Sequence, residues 1–478
     1  MRRSKIVATL GPALDDRERL RAAIAAGIDV VRLNFSHGTR DDHARRLEMA
    51  CGIGRDLGRN VGSLGDLQGP KIRLGVVPDE GVALEDGGEV VLVSGQETLD
   101  AYHDGAGTPL LPVVYEQLAA DVEPGALVLM DDGLLRLVVS AVDGDRVTAR
   151  VVAGGSALSR KGVNLPGVEV SAKSLTDKDR EDVATMVELG VDWIALSFVR
   201  RPEDVTEVRE LVREHGGDQP IVAKLERPEA VDNLEAIVQA TDAVMVARGD
   251  LGVEVGPERV PAIQKEMIDL ANRASRPVIT ATEMLDSMMR SPRPTRAEAS
   301  DVANAIFDGT DAVMLSGETA SGRYPVEAVR TMARIIEVAE SAAERLHAIP
   351  PVTGTVLGSV VAKAARQIAD DVEAVAILVF SFSGASVQLV SKFRPRQPII
   401  GLTTGDRALR RLALMWGTVG AVVPQKDHSI DLIEAAEEVC LQHGYGVRGD
   451  AVVIVSGIPG GHGGTNRVMV HRIGEAAG

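Results

Sequence analysis

Two short stretches carry residue types that could build a cation site. Residues 220–223 form an apolar run ending in Lys224-Leu225-Glu226, and residues 243–247 form another ending in Arg248-Gly249-Asp250, followed by Gly252. Uninterrupted apolar runs that stop at a polar turn read as buried parallel strands whose ends emerge at a surface. Two such strands side by side would aim Glu226 and Asp250 at one point, where with a few waters they suit Mg²⁺. Lys224 beside them would hold a phosphate as a compact charge, and the glycine-flanked turn at 249–252 offers backbone N–H groups. Taken alone, the pattern also fits two solvated strand ends.

Other apolar runs end in complementary groups. Arg32, Asn34 and Ser36 alternate along Arg32-Leu33-Asn34-Phe35-Ser36-His37-Gly38 and so share a face. Asp66 closes a run and is followed by Gly69-Pro70-Lys71-Ile72-Arg73; two later runs end in Thr280-Ala281-Thr282-Glu283 and Ser316-Gly317-Glu318-Thr319. Gathered in one place, these cations, carboxylates and hydroxyls are the parts for phosphoryl transfer by positioning and charge neutralisation. Only 10 of the 52 basic residues are Lys, so Lys71 and Lys224 stand out from the composition. His37 reads as structural, and Met284, Met288 and Met289, at helical spacing, as packing.

The elements needed to gather them are legible as repeated βα units. Strand-like runs occupy 5–10, 30–35, 61–67, 193–198, 221–225, 243–247, 278–281 and 312–315, with helical spacing at 15–26, 177–189, 260–274 and 295–306. Eight such units predict a (β/α)₈ TIM barrel over 1–73 and 166–348, with its chemistry at the C-terminal strand ends. Between the third and fourth runs, residues 74–165 turn to Val, Gly and Asp with turn signals at Asp86-Gly87-Gly88, Asp131-Asp132-Gly133 and Asp143-Gly144. This predicts an inserted small β-barrel domain placed as a lid over the mouth. A helical stretch at 326–348 runs to Ile349-Pro350-Pro351, a boundary beyond which 349–478 predict an open α/β domain with strands at 375–380, 399–402, 419–423 and 452–455. There Ser381-Phe382-Ser383-Gly384-Ala385-Ser386 follows a strand and opens a helix; it suits a phosphate or plain capping by Ser383 or Ser386.

Composition sets the outer bounds. The 478 residues exceed one core, and 45% hydrophobic, 25% charged and 3% aromatic residues describe a soluble α/β protein with aliphatic cores. A net charge of −17 and a pI near 5.1 exclude a general nucleic-acid or anionic-membrane binder. Cys51 and Cys440 stand alone, which excludes a disulfide framework and a Cys-rich zinc site. The opening MRRSKIVATL has no apolar signal region and no run approaches the ~20 residues of a membrane span, so the expected location is the cytoplasm.

Taken in order, RLNFSHG (32–38), GPKIR (69–73), KGVNLPG (161–167), AKLE (223–226), MVARGDLGVE (245–254), PTRAE (294–298), DAVMLSGETA (311–320) and the later SFSGAS and KFRP closely resemble pyruvate kinase, over essentially the whole chain. The resemblance implies transfer of the phosphoryl group of phosphoenolpyruvate to ADP, giving pyruvate and ATP, in a cytoplasmic homotetramer. It implies that Glu226 and Asp250 hold Mg²⁺ (or Mn²⁺), and that Arg32 and Lys224 stabilise the moving phosphoryl group. The Gly249 and Asp250 N–H groups with the Thr282 hydroxyl would receive the substrate carboxylate, and Thr282 and Ser316 would belong to the relay that protonates the enolate. Arg73, Asp132 and Lys161 would lie near the nucleotide.

Where relatives bind K⁺, the matching positions are Asn34, Ser36, Asp66 and the Leu67 carbonyl. Many of those relatives carry Glu at the position of Lys71, and an ammonium there implies that K⁺ is not required. Ser381, Ser383, Gly384 and Ser386 match a loop that receives a phosphorylated effector. Phe382 stands where some relatives carry Lys, so a monophosphate such as AMP or a sugar monophosphate is expected rather than a bisphosphate. Glu283 and Leu67-Gln68 also depart from the usual Gln and Thr-Lys. Two rivals remain: a Mg²⁺-enolate lyase or mutase, and a non-catalytic sensor using only the C-terminal loop. The first leaves the lid unexplained, and the second leaves the intact Lys224, Glu226 and Asp250 unexplained.

Overall fold

Eight strands buried along nearly their whole length close on each other, as their mostly apolar composition requires. In the computed structural model, which describes residues 2–171, 173–346, 357–424, 429–457 and 464–475, they are Lys5–Thr9, Val30–Asn34, Gly62–Asp66, Trp193–Leu196, Ile221–Leu225, Ala243–Ala247, Val278–Ala281 and Ala312–Leu315. All neighbours are parallel, and the first strand pairs with both the second and the eighth, so the barrel is closed. Helices return the chain on the outside, and several begin with reciprocal caps that satisfy first-turn N–H groups, at Thr39, Thr176 and Thr295.

The insertion leaves after the third strand through Gly69. Its φ of +70° and the approach of the Phe198 ring, 2.7 Å from where a Cβ would stand, leave room for no larger residue. It builds a six-stranded and a two-stranded sheet around its own apolar core, which includes Val90, Leu92, Leu111, Met130, Leu137 and Val147. The predicted boundary at 349–351 lies outside the described residues. The C-terminal sheet has the spatial order Thr418–Val422, Ile399–Thr403, Ala376–Phe380, Ala451–Ser456, Arg467–Arg472. The last strand is antiparallel and was not predicted: at a sheet edge, largely exposed, it has an apolar stretch of only three residues.

The barrel floor is organised by a fourfold device. Asp29, Asp192, Asp242 and Asp311 immediately precede the second, fourth, sixth and eighth strands. Each carboxylate accepts a backbone N–H at the start of the preceding strand, from Ile6 (2.8 Å), Ser63 (2.9 Å), Ile221 (2.8 Å) and Val278 (2.8 Å) respectively. Asp29, Asp192 and Asp311 are buried, Asp242 partly so, and carboxylates withdrawn from water need cations. Asp29 and Asp242 find them within the barrel, in Arg2 and Arg209. Asp192 is met by Arg410 at 3.0 Å, and Asp311 by Lys392 at 2.5 Å and Arg394 at 2.9 Å, all from the C-terminal domain. That domain therefore completes the floor electrostatically as well as by packing, and Gly62 admits it: a Cβ there would stand 2.7 Å from the Arg410 carbonyl oxygen.

Candidate active site

At the opposite end of the barrel, the ends of the second, third, fourth, fifth and sixth strands converge. Lys224 donates a hydrogen bond to the Ser197 hydroxyl (2.6 Å) and forms ion pairs with Glu226 (3.0 Å) and Asp66 (3.2 Å). Asp66, fully buried, also receives Arg32 at 2.6 Å, while a second Arg32 nitrogen reaches the Thr9 hydroxyl at 3.0 Å. Burial pushes Asp66 up, but Lys224 and Arg32 outweigh it and hold its carboxyl below the ordinary value. Burial likewise pulls Lys224 down, and Asp66 and Glu226 reverse this, so the ammonium stays charged. Asp66 matches a K⁺ position of relatives, and here its carboxylate is engaged by two side-chain cations.

Glu226 behaves differently. Its second oxygen accepts the Phe198 N–H at 2.8 Å, and burial, with Asp250 nearby, raises its pKa against the pull of Lys224. A buried acid with a second carboxylate nearby fits a divalent cation. Among the described residues no group of three or more His, Cys, Asp or Glu could hold a metal alone, so the pair suits an ion that takes its other ligands from water or substrate. Asp250 meets Lys71 at 2.8 Å across the hinge of the insertion. Lys71 thus faces into the mouth.

Gly249 and Asp250 lie in the first turn of a short helix, Arg248–Val255. The bare donor expected at Gly249 is covered, since its N–H donates to the Thr282 hydroxyl at 2.7 Å. Thr282 and Glu283 have φ of +69° and +55°, a conformation that costs roughly 1–3 kcal/mol per non-glycine residue and clusters at functional sites. Arg248 braces this turn by donating to the Thr282 carbonyl at 2.8 Å, and buried Glu318 braces it through the Leu285 N–H at 3.0 Å. Glu318 also takes the Ser316 N–H at 2.7 Å. The Ser316 hydroxyl is buried without a hydrogen-bond partner among the described residues, a costly state that marks a group awaiting one. The Glu283 carboxylate is on an exposed residue.

The remaining predicted residues distribute as follows. Asn34 accepts the Ser36 N–H at 3.1 Å, and the Leu67 carbonyl accepts the Ser197 hydroxyl at 2.6 Å. Burial, with Arg73 and Arg32, depresses the His37 pKa. Arg73 bridges to Gly162 and donates to the Arg160 carbonyl at 3.1 Å, and Lys161 pairs with Asp131 at 2.8 Å rather than with its neighbour Asp132. Met284 and Met288 are buried, in keeping with packing.

In the C-terminal loop, Ser381 accepts the N–H groups of Gly384 (3.0 Å) and Ser386 (3.3 Å). Neither Ser383 nor Ser386 is the main cap as expected, and Ser386 instead accepts from Thr465 at 2.7 Å. Phe382 is 71% exposed. Sequence reasoning missed Ser197, Phe198, Arg248 and Thr9. Ser197-Phe198, the last two residues of the predicted fourth strand, carried the positional signal that marks strand ends in such a barrel.

Comparisons agree with this architecture. A family model described as "Pyruvate kinase, barrel domain" matches residues 1–329, and one described as "Pyruvate kinase, alpha/beta domain" matches 359–471. The chain is 47% identical over 477 residues to a pyruvate kinase of Mycobacterium tuberculosis (strain CDC 1551 / Oshkosh) and 44% identical over 477 residues to one of Agrobacterium vitis, with 99% of each chain covered in both cases. It is 44% identical over 483 residues to one of Geobacillus stearothermophilus, covering 99% of this chain and 81% of that one.

Proposed function

The chain belongs to the pyruvate kinase family and is a phosphotransferase making pyruvate and ATP from phosphoenolpyruvate and ADP, and we propose how its own residues divide that work. In the reaction the bond between phosphorus and the enol oxygen breaks, a bond from phosphorus to a terminal ADP oxygen forms, and the enolate gains a proton at C3. The family uses a divalent metal. Mg²⁺ (or Mn²⁺) held by Glu226 and Asp250 would supply positive charge to the substrate's carboxylate and enolate oxygens.

Lys224 and Arg32 bind the phosphoryl group and neutralise it as it moves; the convergence of these two cations with Glu226 at one strand-end cluster carries this reading. The substrate carboxylate takes the Thr282 hydroxyl and the N–H groups of Gly249 and Asp250, replacing the present Thr282 to Gly249 bond. Thr282 and Ser316 then lie on the path by which the enolate carbon is protonated. Arg73, Lys161 and Asp132, on the lid side, face the nucleotide. Lys71 contributes the charge that K⁺ provides at Asn34, Ser36, Asp66 and the Leu67 carbonyl elsewhere, so K⁺ is dispensable.

The proposal extends to a cytoplasmic homotetramer whose Ser381, Ser383, Gly384 and Ser386 loop receives the phosphate of AMP or a sugar monophosphate. Among the described residues no helix is long and apolar enough to cross a membrane. The deciding experiment measures ATP formed from phosphoenolpyruvate and ADP with and without Mg²⁺. Metal-dependent ATP and pyruvate in equal amounts are expected; pyruvate without ATP would refute the assignment of acceptor.

A further inference from the structure

The fourth strand carries none of the chemistry assigned so far, yet its end touches both members of the Lys224 and Glu226 pair. Ser197 directly follows that strand and is 1% exposed. Its hydroxyl has one proton, and the 2.6 Å contact to the Leu67 carbonyl accounts for it. The oxygen lone pairs are thereby turned toward Lys224, which donates to them at 2.6 Å. The next residue, Phe198, has φ of +55° and sends its N–H to Glu226 at 2.8 Å. Gly69 makes the space, since a Cβ there would lie 2.9 Å from the Ser197 Cβ.

We propose that Ser197 is a positioning residue for phosphoryl transfer, fixing the Lys224 ammonium at the point where the moving group must meet it. This rests on the reading of Lys224 given above. The ammonium has one hydrogen-bonded acceptor, the uncharged Ser197 hydroxyl, and two ion-pair partners, Asp66 and Glu226. When Glu226 turns to a metal, an N–H is released to a phosphoryl oxygen while Ser197 and Asp66 remain as two fixed points. Without Ser197 the single remaining pivot is Asp66, whose charge draws the ammonium back into the barrel.

The test is Ser197→Ala, with Ser197→Cys as a second variant of nearly the same size. Removing a hydrogen bond to a charged group should lower the turnover of phosphoryl transfer about tenfold or more. The KM for phosphoenolpyruvate should stay within about twofold, Mn²⁺ affinity should be unchanged, and exchange of the C3 protons of pyruvate should persist. Introduced into Lys224→Met, Ser197→Ala should add no loss of exchange, because neither side chain is assigned to the proton relay. Equal loss of transfer and exchange in both Ser197 variants, or full transfer in Ser197→Ala, overturns the proposal. Full transfer in Lys224→Met would instead overturn the reading of Lys224 on which it rests.

Discussion

Lys71 pairs with one oxygen of a carboxylate that is also proposed to bind metal, and the expected outcome is that the metal, competing for the same charge, displaces it. The Lys71 to Asp250 contact is 2.8 Å, with side chains 23% and 24% exposed. Fully exposed ion pairs contribute about 0–1 kcal/mol, and hydrogen bonds between charged groups sheltered from water about 1.5–3 kcal/mol. A pair about three-quarters covered belongs near 1.4 kcal/mol, a factor of about ten in a binding constant. Lys71→Met should therefore bind Mn²⁺, titrated against the enzyme without substrates and followed by the resonance of the free ion, about tenfold more tightly than the wild type.

Once displaced, the ammonium faces the phosphoryl site. A charge ~4 Å from phosphoryl oxygens in a closed site is worth about 4 kcal/mol at an effective dielectric near 20. Wild-type activity in an organic counter-cation should then approach that in K⁺, and Lys71→Glu should acquire a K⁺ requirement. Unchanged or weaker Mn²⁺ binding in Lys71→Met would falsify the displacement, and a wild type nearly silent without K⁺ would refute the substitution of ammonium for ion.

Asp250→Ala should lose at least ~10²-fold in kcat while unfolding normally in urea, as expected for a strand-end group outside the core; near-normal turnover with unchanged Mg²⁺ dependence would refute its role. Lys224→Met should abolish phosphoryl transfer and retain C3 proton exchange of pyruvate, and parallel loss of both would make Lys224 a general binding group. Ser386→Asp should remove activation by a phosphorylated effector and leave saturated turnover nearly unchanged; surviving activation would move the effector elsewhere. Lys392→Met should cost about 3 kcal/mol or more in urea unfolding, because it removes a partner from buried Asp311, and adding Asp311→Asn should restore part of it. Burial raises the Asp311 pKa, but Arg394 and Lys392 more than reverse this, so its folded value lies below 3.8. Its stabilisation is therefore complete above 3.8 and lost as pH falls through the lower folded value. Asp311→Asn should lose less stability than wild type between pH 5 and pH 2, and identical acid profiles would remove Asp311 from the account.

The barrel was legible because most of its strands are short apolar runs that stop at a polar residue, a pattern that survives without knowledge of neighbours. Arg32, Lys224, Glu226 and Asp250 were singled out for the same reason: each lies at or just beyond the end of such a run, and a parallel barrel brings all strand ends to one rim. The edge strand Arg467–Arg472 was missed because its apolar stretch, Val468 to Val470, is only three residues long between charged and histidine neighbours and lies largely exposed at the sheet edge. Ser197 was passed over because a lone serine carries no charge pattern. Its importance comes from the Leu67 carbonyl and Lys224 on either side of it in space, 130 and 27 residues away in sequence.

Hydrophobic periodicity and the identity of charged groups at strand ends are local properties, and they determined the fold class and the set of groups at the mouth, while the run of motifs carried the resemblance to the family. Which charge neutralises which is not local. That Asp66 meets Arg32 and Lys224, that Lys71 crosses the hinge to Asp250, and that Thr282 covers the Gly249 N–H depend on distances of a few ångströms between separate strands. So does the division of the four floor carboxylates, two paired within the barrel and two with the C-terminal domain. A buried charge must find its partner wherever the closed barrel places one, and only the tertiary structure decides where that is.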